Sequence, residues 1–112
     1  MPTTPEDTDW EQIAALYEAL AIVLPSPVVE LNRAGAVGMS AGPAEGLKLA
    51  DALLTEKALT NYALLPAVRG EFLEKLDRLD EARAEFEQAA ALTRNERERS
   101  VFLERAARAG RD

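Results

Sequence analysis

The sequence predicts an all-α fold of about six helices joined as antiparallel hairpins. Apolar residues recur at helical spacing in almost every segment of the 112 residues, and no segment sustains a two-residue alternation. Aromatic residues make up only 5% of the chain while hydrophobic residues make up 47%, so the core must consist mostly of Ala and Leu. The predicted turns are short, which favours successive helices that pack side by side in opposite directions.

The first helix is predicted from Asp9 to Leu24. Thr8 and Glu11 have the spacing of a capping box, and Pro25 stops the helix. Its apolar stripe consists of Trp10, Ile13, Ala14, Tyr17, Leu20, Ala21 and Leu24.

The second helix is predicted to begin at Pro27, with Ser26 as its N-cap, and to end near Ala41 and Gly42. The residues expected to face inward are Val28, Leu31, Ala34 and Gly35. A stripe of small residues indicates close packing against another helix, and it consists of Ala34, Gly38 and Gly42.

The third helix is predicted from Pro43 to about Glu56, followed by a loop over residues 57–61. The residues expected to be buried from this helix are Leu47, Ala50, Leu53 and Leu54. The fourth helix is predicted from about Tyr62 to Arg78, with Pro66 in its first turn, where N–H groups have no helical partner.

The fifth helix is predicted from Glu81 to Thr93, with Asp80 as its N-cap, and Asn95 then caps a sixth helix that reaches about Ala109. The residues expected to be buried from the fifth helix are Ala82, Phe86, Ala89 and Ala90. The apolar side of the sixth consists of Val101, Phe102, Ala106 and Ala109.

A repeat is visible in two of these hairpins. Gly70, Ala82, Phe86 and Ala89 follow one another at spacings of 12, 4 and 3, as in the tetratricopeptide (TPR) signature. A weaker copy pairs Asn32 with a small residue 12 positions later. We therefore expect two TPR-like hairpins, at 27–56 and 62–93, in a short right-handed stack capped by single helices. This single domain would span residues 9–110 after a disordered segment at residues 1–8.

Several longer strings carry a resemblance to a known family. They are Thr8-Asp9-Trp10-x-Gln12-Ile13-x-x-Leu16-Tyr17, Pro25-Ser26-Pro27-Val28-Val29-x-Leu31-Asn32-Arg33-Ala34, Leu64-Leu65-Pro66-Ala67-x-Arg69 and Phe102-Leu103-Glu104-Arg105. Together they resemble the C-terminal TPR-like extension of extracytoplasmic-function (ECF) RNA polymerase sigma factors. The resemblance implies a regulatory, protein-contacting domain for transcription initiation. In that family the promoter-reading helices lie upstream of this segment, so this chain itself is not expected to bind DNA.

The second helix departs from the family pattern. Gly35 and Gly38 stand where the family has a plainer helix rich in Ala, Val and Glu. Each glycine lowers helix propensity by about 1 kcal/mol relative to Ala.

Composition excludes much catalytic chemistry. The chain has no Cys and no His, which removes thiol nucleophiles, imidazole bases and Cys/His zinc sites. Carboxylates such as Glu71 and Glu74 alternate with basic residues at helical spacing, which favours a solvated face over a pair of catalytic acids. The sequence therefore predicts no enzyme, no catalytic residue, no metal and no cofactor.

The charge pattern also limits the partners. The net charge is −7, which disfavours phosphate binding, and the six Arg of residues 94–111 are interleaved with acids. The N-terminus has no signal-peptide pattern, and no apolar run approaches the roughly 20 residues of a membrane span. We expect a cytoplasmic protein without direct contact to nucleic acid or membrane.

A protein partner is the remaining expectation, and the candidate binding residues are Asn32, Arg33 and Arg69. Their amide and guanidinium groups could hold a peptide backbone or a carboxylate, or could instead bond within the chain. Trp10 and Tyr17 could anchor a partner or hold the first helix in place.

The resemblance implies that the partner is the sigma core or RNA polymerase. The alternative is a stand-alone TPR-like adaptor that binds a peptide of an unrelated protein. A homodimer through the first helix is a further possibility, since a repeat fragment exposes the face that a neighbour would cover.

Overall fold

The computed structural model describes residues 8–110 and builds them from six α-helices. These are α1 (Trp10–Val23), α2 (Pro27–Ala41), α3 (Pro43–Asp51), α4 (Leu64–Lys75), α5 (Leu79–Leu92) and α6 (Glu96–Ala109). A 3₁₀ turn lies between α3 and α4, and residues 8–110 contain no strand. Each helix packs mainly on its neighbours in sequence, so the predicted all-α fold of helical hairpins is confirmed. The TPR-like, right-handed character of the stack stays a prediction.

The predicted disordered segment, residues 1–8, lies outside the described residues except for Thr8. The single domain over residues 9–110 stays a prediction. No helix within residues 8–110 combines the length and the apolar character that a membrane crossing requires.

Side-chain caps fix the starts of three helices. The Ser26 hydroxyl accepts a hydrogen bond from the N–H of Val28 at 3.2 Å. The Asn95 amide oxygen accepts one from the N–H of Glu98 at 3.0 Å. Both caps confirm the prediction. At α1, however, the cap is Asp9 and not Thr8, because the Asp9 carboxylate accepts the N–H of Gln12 at 3.0 Å. A negative charge at this position also complements the positive end of the helix dipole.

The third helix is shorter than predicted. It ends at Asp51 instead of Glu56, and the N–H groups of Leu53 and Leu54 bond carbonyls only three residues back. This tightening turns the chain so that Leu59 enters the core, where it is 1% exposed. The prediction that Leu54 faces inward is wrong, since it is 52% exposed.

The fourth helix is also shorter, at Leu64–Lys75 instead of Tyr62–Arg78. Pro66 lies in its first turn, as predicted. Its missing N–H costs little there, because the first N–H groups of a helix have no acceptor within it.

Two clusters of buried apolar side chains form the core. The first joins α3, α4, α5 and α6 and consists of Leu47, Phe72, Leu73, Ala82, Phe86, Ala106 and Ala109. The second joins α2, α3, the 3₁₀ turn and α4 and consists of Leu31, Ala34, Ala50, Leu53, Leu59 and Leu65. Val68 of α4 packs against both clusters. The α1 helix contributes no buried residue to either.

Small residues bring α2, α3 and α4 close together. A methyl group on Gly38 would overlap the ring of Phe72. One on Gly46 would lie 2.6 Å from the Gly38 Cα and 3.0 Å from the Ala34 carbonyl oxygen. Ala34 and Gly38 of the predicted stripe therefore serve close helix packing. Gly70 plays a similar part against Phe86, whose ring lies 2.9 Å from where the Gly70 Cβ would be. Gly42 of the stripe does not pack closely, since it joins α2 to α3 with a φ of 111° and has no atom within 4 Å of where its Cβ would be.

The turn between α4 and α5 has a strained residue at a helix end. Asp77 has a φ of 62°, and the N–H of Arg78 donates to the Leu73 carbonyl at 2.9 Å. This pattern is a Schellman motif, in which glycine usually occupies the left-handed position. The fifth helix then begins at Leu79, so Asp80 lies inside its first turn. The prediction that Asp80 is the N-cap is therefore wrong, because Arg78 takes that position.

Asp77→Gly is expected to raise the free energy of unfolding by about 0.5–1 kcal/mol, because glycine adopts positive φ without steric cost. Asp80→Gly is the matched control. It lies three residues further on in the first turn of α5, where loss of the carboxylate should destabilise by about 0.3–1 kcal/mol, because that charge complements the positive end of the helix dipole. Urea unfolding followed by circular dichroism measures both. Destabilisation by Asp77→Gly would contradict the expectation.

Candidate partner-binding groove

An open groove of about 570 Å³ lies between α1, α2 and α4. The α2 helix packs on both of the others and so lies between the two walls. The lining residues are Trp10, Ile13, Tyr17, Leu31, Asn32, Gly35, Ala36, Met39, Leu64, Val68, Glu71 and Phe72. A volume of this order falls within the roughly 300–1,000 Å³ typical of ligand sites.

The groove is apolar with a few polar groups. Asn32 and Glu71 are the lining residues with a fully polar side-chain end, and Trp10 and Tyr17 add one N–H and one O–H. Within residues 8–110, the side chains of Asn32, Trp10 and Tyr17 make no hydrogen bond. These three groups are therefore available to a ligand.

The Glu71 carboxylate is shared between neighbours at one edge of the groove. It lies 3.7 Å from the Lys75 Nζ and 3.7 Å from an Arg105 Nη. Arg105 also bonds Glu74 at 2.8 Å, and its guanidinium carbon lies 4.6 Å from the centre of the Phe86 ring. These contacts tie α4 to α6 and fix the position of the acidic edge.

Arg33, the second sequence candidate, does not line the groove. Its guanidinium lies 3.4 Å from the carboxylates of both Glu18 and Glu30, so it links α2 to α1. The pairing with Glu30 is the internal alternative that the sequence leaves open.

Arg69, the third candidate, lies on the side of α4 that meets α3 and α5. Its Nε donates to Asp51 at 2.9 Å and its Nη1 lies 2.8 Å from Glu85. Burial alone would lower the pKa of Arg69, but the hydrogen bonds to Asp51 and Glu85 outweigh it and raise the pKa. The guanidinium thus holds three helices together and is directed away from the groove.

Arg69→Leu is expected to lower the free energy of unfolding by about 1.5–3 kcal/mol, the usual size for lost hydrogen bonds to charged groups. The Arg69 side chain is only 14% exposed, so water cannot replace these bonds fully. Arg83→Leu serves as control, because its pair with Glu87 is half exposed and should contribute little. Urea denaturation of both variants measures the difference, and equal midpoints would contradict the structural role.

Trp10 and Tyr17 of α1 are both half-buried, and both line the groove. Sequence reasoning missed Gly35 and Met39 as lining residues. Gly35 lies three residues after Asn32 and Met39 four residues after Gly35, which places all three on one side of α2 and could have revealed them.

Comparison with known proteins finds a similarity to a bacterial protein. The chain is 45% identical over 91 residues to an uncharacterized protein of Rhizobium meliloti. The matched stretch covers 81% of this chain but 21% of that protein, so the chain spans about a fifth of the relative's length. No family model matches the chain. No solved structure matches it either.

Proposed function

We propose that this chain is a protein-interaction domain of an ECF-type RNA polymerase sigma factor, non-catalytic and not itself DNA-binding. Its groove between α1, α2 and α4 receives a segment of the sigma core domains or of RNA polymerase. The observation that carries the proposal is the groove itself. It combines an apolar lining with the unbonded Asn32 amide, and such convergence is typical of a recognition site.

The relative supports a place within a larger protein. A match confined to 21% of a longer chain is what a domain joined to other domains produces. The strings that resemble the sigma-factor extension run from the start of α1 to α6, and they supply the identity of the larger protein in this proposal.

Two of the four arginines of α6 support a protein partner over nucleic acid. Arg99 donates to the carbonyls of Ala90 and Thr93 at 3.1 and 2.7 Å, and Arg105 pairs with Glu74. These cations satisfy groups within the fold, including carbonyls at the end of α5. They therefore contribute little to a surface for phosphates.

Site-specific crosslinking tests the proposal. A photoreactive phenylalanine derivative replaces Met39, which lines the groove and is 41% exposed. The matched control carries it at Ala84, an exposed position on α5 that lies outside the groove. Both variants are expressed in the organism that encodes the chain, irradiated, and purified for mass spectrometry of the crosslinked peptides.

Crosslinks from position 39 to sigma core domains or RNA polymerase subunits, absent from position 84, are the expected result. Crosslinks from position 39 to an unrelated protein would replace the sigma-factor proposal with the stand-alone adaptor. Equal crosslinking from both positions would contradict the groove as the binding site.

A further inference from the structure

We infer that the segment bound in the groove is an α-helix with an apolar stripe flanked by basic residues. The inference rests on the proposed function, because it takes the groove as the partner site. It goes further by naming the conformation and the charge of the occupant, which neither the resemblance nor the comparisons supply.

The first argument is an exposed apolar stripe that extends the α1 wall of the groove. Ile13 lines the groove, and Leu16, Leu20 and Val23 follow it at spacings of three, four and three, on the same side of α1. Leu16 is 63% exposed and Val23 is 82% exposed. At about 1.5 Å per residue the stripe is about 15 Å long, which matches three turns of a second helix laid along it.

The second argument is the shortage of hydrogen-bonding groups. An extended peptide carries backbone N–H and C=O groups that need partners when they are buried. The groove offers the Asn32 amide, the Trp10 N–H, the Tyr17 hydroxyl and a Glu71 carboxylate already shared with two cations. A helix satisfies its backbone internally and presents only side chains, so it fits an apolar trough of this kind.

The third argument is the shape of α2 between the walls. Gly35 and Ala36 face the groove with little or no side chain, and a Cβ on Gly35 would have no atom within 4 Å. Large side chains of an incoming helix can therefore reach the α2 surface. Bulky residues on both sides, such as Tyr17 of α1 and Leu64 of α4, would flank them.

The fourth argument is charge. Asp9 and Glu11 lie beside Trp10 in the sequence, and within residues 8–110 neither makes an ion pair. Residues 8–32 contain no base, and the next cation, Arg33, is engaged by Glu18 and Glu30. Lys and Arg at the flanks of the bound helix complement this surface, whereas acids would be repelled.

Peptide display on the folded chain tests the inference. A library of random 16-residue peptides without Trp is selected on the chain and counter-selected on Gly35→Leu, which fills the open space above α2. Selected peptides are then synthesised. Their Kd is measured from the fluorescence of Trp10, the single Trp of the chain, and their helicity on binding from circular dichroism.

The expected peptides have apolar residues at spacings of three and four, Lys or Arg beside them, and become helical when bound. Leu20→Gln should weaken their Kd about tenfold or more, since it removes one leucine contact from the stripe. Leu103→Gln is the matched control, because Leu103 is similarly exposed but lies on α6, and it should leave the Kd unchanged.

Three outcomes would overturn the inference. Selected peptides could show two-residue alternation or Pro-rich sequences, they could carry acidic flanks, or none could bind better to the chain than to Gly35→Leu. The first two would leave the groove as a partner site, so the proposed function would survive them. The proposed function is tested separately, by the proteins that crosslink to position 39.

Discussion

Phe86→Ala is expected to lower the free energy of unfolding by about 3–5 kcal/mol, the usual cost of emptying a buried aromatic site. The ring is 1% exposed, packs against Gly70 of α4, and lies beneath the guanidinium of Arg105 from α6. Its removal would open a cavity where three helices meet. Because the free energy of unfolding of a small domain is only about 5–15 kcal/mol, the variant would lose a large part of its stability.

Phe86→Leu is the control for volume. It keeps most of the apolar contact and should cost less than about 1.5 kcal/mol if only packing volume matters. Urea unfolding of the wild type and both variants, followed by circular dichroism, gives the comparison. A loss below about 1 kcal/mol for Phe86→Ala would show that the α4–α5–α6 contact does not depend on this ring.

Gly46→Ala and Gly35→Ala are expected to change stability in opposite directions. A methyl group on Gly46 would meet the backbone of α2 at 2.6 and 3.0 Å and the Phe72 ring at 2.6 Å. Because backbone cannot move aside as a side chain can, α2 and α3 would be forced apart. We expect a loss of about 1–3 kcal/mol or more, as for other overpacked cores.

At Gly35, in contrast, an added methyl group meets nothing within 4 Å. Only the gain in helix propensity remains, so Gly35→Ala should stabilise by about 0.5–1 kcal/mol. Thermal unfolding of the two variants and the wild type measures whether each change in stability has the expected direction. Stabilisation by Gly46→Ala would show that α2 and α3 pack less closely than the structure has them.

The helices whose starts could be predicted are those with a local signal. Ser26 and Asn95 cap the residues immediately after them, and Pro27 fixes the first turn of α2, so a few neighbouring residues suffice. The end of α3 had no such signal. It depends on the burial of Leu59, which shares a core cluster with Leu31 and Ala34 of α2, more than twenty residues earlier in the chain.

The roles of the glycines in α2 also depend on residues that are distant in the sequence. From helix propensity alone, Gly35 and Gly38 both look unfavourable in the middle of a helix. The structure separates them, because Gly38 makes room for the Phe72 ring while Gly35 faces open space. The difference arises from α4, more than thirty residues later in the chain, and no local pattern contains it.

Of the candidate site residues, one could be placed from the sequence and another could not. Asn32 could be predicted because its place on the first helix of a hairpin follows from the repeat, and it does line the groove. The engagement of Arg69 could not be predicted. Its partners Asp51 and Glu85 lie on two different helices, and only the packing of α3, α4 and α5 brings them together.

The absence of buried residues in α1 has a consequence for motion. Because α1 contributes to neither core cluster, we expect it to detach from α2 while α2 to α6 stay folded. Such a partial opening would cost less free energy than global unfolding, so the α1 amides are expected to exchange their hydrogens with solvent through it. A partner of the kind proposed would bind only the closed form and so stabilise it. Occupation of the groove would then favour the docked α1, and slowed hydrogen exchange in α1 is the expected sign of it.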